Sequence, residues 1–107
     1  MGLSFNYVVN QHETCVELYI DRVRAGVDES KTIFDQFEAH KQEIEEGFGE
    51  PLEWERLEGK RACRIAKRLN MGGYRNEEQY LQIFDATVDA MIRLERALRP
   101  FIQKITV

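Results

Sequence analysis

A chain of 107 residues, 43% hydrophobic and 32% charged, holds enough apolar area to offset its conformational entropy, which excludes a disordered tail and predicts a single domain over 1–107. A formal net charge of −4 excludes a general nucleic-acid coat, which draws on an excess of Lys and Arg, and the short apolar stretches exclude a membrane span. The opening Met1-Gly2-Leu3-Ser4-Phe5-Asn6 has neither a signal-peptide core nor the Ser or Thr at position 6 that myristoylation wants, so the expected compartment is the cytoplasm.

Residues 5–21 predict a β-hairpin. Phe5, Tyr7 and Val9 alternate with Asn6, Val8 and Asn10, and Val16, Leu18 and Ile20 alternate with Glu17, Tyr19 and Asp21, the period of half-buried strands. A two-residue turn at His12-Glu13 would pair Val9 with Val16, Tyr7 with Leu18 and Phe5 with Ile20, all on the core face. Next, Asp28 or Ser30 is placed to cap a helix carrying Ile33, Phe34, Phe37, Ile44 and Phe48 at three- and four-residue steps, running to about Glu46. Gly47 and Gly49 offer left-handed termination, and Pro51 prevents continuation.

A second hairpin is expected from Leu52 to about Leu69, turning at Glu58-Gly59. Trp54 would face Cys63 and Leu52 would face Ile65 on the core side, with Glu53 across from Arg64 on the other face as a favourable charge pair. Asn76 and Gln79 form a capping box opening a long helix to about Gln103. Its apolar residues, among them Tyr80, Leu81, Phe84, Val88, Met91, Ile92, Leu94 and Leu98, cover about half the circumference, wider than contact with a sheet requires. The expected fold class is therefore α+β in two layers, with order ββαββα, a four-stranded antiparallel sheet and both helices on one face.

Phe5-Asn6-Tyr7-Val8-Val9, Val16-Glu17-Leu18-Tyr19-Ile20-Asp21, His40-Lys41, Phe48-Gly49, Leu52-Glu53-Trp54-Glu55 and Ala90-Met91-Ile92-Arg93-Leu94-Glu95, in that succession, resemble the domain-of-unknown-function 4268 family (DUF4268) of bacteria and archaea. Members often carry this domain at the C-terminus of longer proteins whose front half is similar to a restriction nuclease. The resemblance implies a setting near DNA processing or defence and transfers no catalytic residue; it does not extend to the nuclease-like front half, so no nuclease role is expected.

Several constellations bear on function. A restriction-type nuclease needs an acidic residue followed by an acidic residue two positions before a Lys, to hold a divalent metal beside a polarising base. No such triplet lies on a strand, and Glu17, Asp21, Glu53 and Glu55 read as a solvated face. The basic run of the second hairpin, Lys60, Arg61, Arg64 and Arg68 with Lys67, is the candidate nucleic-acid contact, although Lys and Arg also suit strand edges. Of His12, Cys15, His40 and Cys63, only His12 and Cys15 have metal-ligand spacing, so no metal is expected, and the cysteines are expected as reduced thiols on opposite sheet faces. Gly72-Gly73 is a loop without the Lys-Ser or Lys-Thr of a phosphate cradle, so no cofactor is expected.

Two further expectations concern surfaces and buried charge. Val8, Cys15 and Tyr19 on the far face of the sheet, or the wide arc of the last helix, form the candidate interface for a homodimer or protein partner. Lys41 and Glu95 fall inside the apolar stripes of their helices, which predicts a buried ion pair between them. Together these readings describe a noncatalytic accessory or protein-interaction module, with a small DNA-binding domain as the alternative.

Overall fold

A computed structural model of the chain describes residues 2–24, 27–56, 62–73, 75 and 77–105. In chain order its elements are β1 (Leu3–Val9), β2 (Thr14–Ile20), the short pair β3 (Val23–Arg24) and β4 (Val27–Asp28), α1 (Ser30–Glu38), α2 (Lys41–Phe48), β5 (Glu53–Glu55), β6 (Cys63–Leu69), a 3₁₀ turn (Glu77–Gln79) and α3 (Tyr80–Ile102). The main sheet is four-stranded and antiparallel in the order β1-β2-β6-β5. The α+β class and its four-stranded antiparallel sheet are thus present. The simple ββαββα order is not, because β3 and β4 intervene and the first helical region is split in two.

Both hairpins sit two residues away from their expected registers. Tyr7 faces Val16 and Phe5 faces Leu18, because the connection runs from Asn10 to Glu13, closed by the Asn10 N–H donating to the Glu13 carbonyl at 2.9 Å. Trp54 likewise faces Ile65 instead of Cys63, and Arg64 faces Glu55 instead of Glu53. The expected Glu58-Gly59 turn lies outside the described residues. Since strand side chains alternate with period two, a two-residue shift leaves each one on its expected face. Val16, Leu18, Ile20, Cys63 and Ile65 accordingly enter one core with Ile33, Phe34, Phe37, Leu94 and Leu98 from the helices, all ten fully buried.

The first helix starts close to expectation: Asp28 accepts the Ser30 N–H at 2.9 Å, an Asx-type bond that satisfies one free helix donor. Ser30 is itself buried, and its hydroxyl accepts the Arg22 N–H at 2.8 Å. The continuous run to Glu46 does not form. Ala39 ends the first segment, and His40, with φ −113° and ψ 23°, starts α2 on a new axis. Gly49 then closes α2 with φ 100°, the left-handed conformation expected there. The expected Asn76 cap lies outside the described residues, and α3 ends one residue short of Gln103.

Two residues assigned to the core face escape burial. Tyr7 is 53% and Val9 51% exposed, because β1 is an edge strand and α3, which packs on β1 and β2, leaves that end of the strand uncovered.

Candidate functional site

The far face of the sheet is a closed network of charges. β6 aims Arg64 between β2 and β5, where it donates to Glu17 Oε1 at 3.0 Å and to Glu55 Oε2 at 3.0–3.1 Å. The second Glu17 oxygen accepts from Asn6 Nδ2 at 3.0 Å, so a carboxylate whose residue is only 5% exposed has a partner at each oxygen. Burial works against the Arg64 charge, but the bonds to Glu55 and Glu17 outweigh it and hold its pKa above the usual guanidinium range. Arg68 lies within 3.3 Å of Glu13 and of Glu53 and 3.9 Å of Glu55. Lys67 leaves β6 on the opposite side, with Cys63 and Ile65, and pairs with Glu50 at 3.1 Å.

The expected basic strip is therefore neutralised wherever it is described: Arg64 and Arg68 face carboxylates, and Lys60 and Arg61 lie outside the described residues. Of the far-face interface candidates, Cys15 is 2% exposed, while Val8 and Tyr19 are partly covered. Burial pushes the Cys15 thiol up, with the nearby Arg64 charge opposing it, and burial pushes the Cys63 thiol up as well. A protonated, inaccessible thiol is a poor nucleophile.

The expected Lys41–Glu95 pair is not formed. Glu95 accepts from Arg99 one turn along its own helix at 2.8 Å. Lys41 is exposed with Nζ 5.9 Å from the Trp54 ring centroid. The physical reason is the break at Ala39-His40, which makes Lys41 the first residue of a redirected helix instead of the middle of a continuous stripe. Glu45, one turn later, accepts from the Leu52 N–H at 2.8 Å and from Trp54 Nε1 at 2.9 Å, tying α2 to β5. Partial burial raises its pKa, but these two bonds, aided by Lys41, bring it below the usual carboxylate value.

The α3–β1 side has the opposite character. Tyr80, Leu81, Phe84 and Ile92 are between 50% and 78% exposed, one outward arc of α3. Beside them a 360 Å³ cavity opens between Tyr7 and Val9 of β1 and Tyr80, Ile83, Phe84 and Val88 of α3. Its two threonine hydroxyls are engaged: Thr87 donates to the Ile83 carbonyl at 2.6 Å, and Thr14 to the Gly72 carbonyl at 2.9 Å. Gly73 closes one end, where a Cβ would lie 1.9 Å from the Asn10 carbonyl oxygen, so only glycine lets the loop seat on the β1–β2 turn. Tyr7 also lines an adjoining groove with Met91, Ile92 and Arg96. The wide arc of α3 was legible in the sequence. That Tyr7 and Val9 join it was not, because alternation assigns a face to a strand residue without saying whether that face is covered there.

Among the described residues no three His, Cys, Asp or Glu side chains are grouped to hold a metal ion, and no helix is long and apolar enough to cross a membrane. No curated protein and no solved structure matches the chain. The model of a family described as a domain of unknown function (DUF4268) matches residues 1–102, nearly the whole chain, and the protein belongs to that family.

Proposed function

We propose that this chain is a noncatalytic protein-interaction module, working as an accessory in the prokaryotic DNA-processing or defence setting that its family resemblance implies. One observation carries the reading: the exposed apolar surface shared by α3 and the end of β1, with Tyr7, Val9, Tyr80, Leu81, Phe84 and Ile92 each at least half exposed. Contiguous apolar surface of this kind, beside an apolar cavity, marks a place where another macromolecule excludes water. The noncatalytic part rests on the chemistry of the other face, where Arg64 is matched by Glu17 and Glu55 and the two thiols are buried and protonated. DNA binding by the second hairpin is the weaker reading, since Arg64 and Arg68 already face carboxylates that would repel phosphate.

A photo-crosslinking residue, p-benzoylphenylalanine, installed in place of Phe84 and irradiated in cells tests the reading. Polypeptide adducts from position 84, absent when the probe replaces exposed Thr32 on α1, are expected. No adduct from position 84 overturns it. Duplex DNA binding that weakens with salt and is abolished by Arg68→Ala would instead favour the hairpin.

A further inference from the structure

Resting on that interaction reading, we infer that the occupant of the α3–β1 side is a second copy of this chain, with two β1 edges pairing antiparallel into one continuous sheet and two α3 helices packing antiparallel above them. The edges of the sheet are unequal. β5 is three residues long and two of them are Glu, the short charged form that blocks strand addition. β1 is seven residues long, Leu-Ser-Phe-Asn-Tyr-Val-Val, with no charge and no proline to discourage another strand. Along it, alternate backbone N–H and C=O groups point away from β2 and suit an identical strand running the other way.

The helix above this edge is self-complementary. Val88 lies midway between Phe84 and Ile92, midway between Tyr80 and Arg96, and midway between Glu77 and Arg99. A two-fold axis beside Val88 therefore sets Phe84 against Ile92 of the partner subunit and Glu77 against Arg99 of the partner subunit. Glu77 and Glu78 are exposed in the 3₁₀ turn that leads into α3, and Arg96 and Arg99 are exposed towards its C-terminus, where Arg99 also bonds Glu95. That polarity suits the helix macrodipole and makes two antiparallel copies attract end to end.

The strand and helix contacts share one axis. Tyr7 lines the cavity with Val88 and the adjoining groove with Ile92, so the middle of β1 lies at the level of the middle of the α3 arc.

Sedimentation of Glu77→Lys, Arg99→Glu and their equimolar mixture tests the inference. Both residues are exposed, so each variant should keep the wild-type circular dichroism, with melting lowered only slightly by the reversed charge at a helix end and, for Arg99→Glu, by the lost bond to Glu95. The wild-type protein is expected to double its 12.6 kDa mass. Each variant alone should dimerise about tenfold more weakly, because like charges meet twice across the axis. The mixture should dimerise as well as wild type, since the lysine introduced in one chain then meets the glutamate introduced in the other, while the native Arg99 and Glu77 still meet in the second pair. A wild-type mass of 12.6 kDa at every concentration, or a mixture no tighter than its components, overturns the second copy. Foreign adducts from position 84 in cells would then show that the interaction reading survives, whereas a monomer without adducts sinks both.

Discussion

The two flanks of the sheet answer the same question in opposite ways. On the far face, polar and charged side chains from four strands meet: Asn6 of β1, Glu17 of β2, Arg64 and Arg68 of β6, and Glu53 and Glu55 of β5. Each charge has a cross-strand neighbour to use it, and Cys15 disappears beneath them. On the α3–β1 side the residues are those expected in a core, yet Tyr7, Val9, Phe84 and Ile92 face outward for want of a covering element. A run of basic residues thus became internal bonding, and a run of core-type residues became surface. What a side chain does was decided by whether the topology supplied it with a partner.

The largest effect should come from breaking the far face. Arg64→Met strands Glu17, 5% exposed, and is expected to cost about 3–5 kcal/mol in denaturant melts, whereas adding Glu17→Met should recover much of the loss. Additive losses would show that Arg64 and Glu17 act independently, and the network would lose its meaning.

A smaller effect belongs to Glu45, whose carboxylate holds Leu52 and Trp54. Glu45→Ala should cost about 1.5–3 kcal/mol, the range for hydrogen bonds to a charged group, with a change in Trp54 fluorescence. Because the folded pKa is depressed, the stabilisation from ionised Glu45 is full above its unfolded value and is lost as pH falls through the folded one. The penalty of the substitution should therefore shrink below about pH 4. A penalty unchanged from about pH 7 to about pH 3 would refute this assignment.

The α3–β1 side should show the least stability effect and the most effect on association. Arg99→Ala removes an exposed bond to Glu95 and should cost under about 1 kcal/mol. Phe84→Ser, at a site 59% exposed, should shift stability by no more than about 0.5 kcal/mol while weakening association measurably by sedimentation. If Phe84→Ser destabilises the monomer as a core substitution does, the contrast between the two flanks collapses.

Much of this was legible in the chain itself. Period-two alternation assigned Val16, Leu18, Ile20, Cys63 and Ile65 to one buried face and Glu17 and Arg64 to the other, and it survived a two-residue error in both registers, since parity depends on alternation and not on turn length. Helical periodicity found the over-wide arc of α3, and Gly49 marked the end of α2 because only a residue without a Cβ adopts that backbone readily. Tertiary structure decided the rest. No proline or glycine marks the break at Ala39-His40, which released Lys41 from a stripe that would have buried it. Carboxylates of β2 and β5, distant in sequence, converged on Arg64, and the position of β1 at the sheet edge left Tyr7 and Val9 uncovered. Periodicity reports the direction in which a side chain leaves the backbone; only the packing of distant elements determines what it meets.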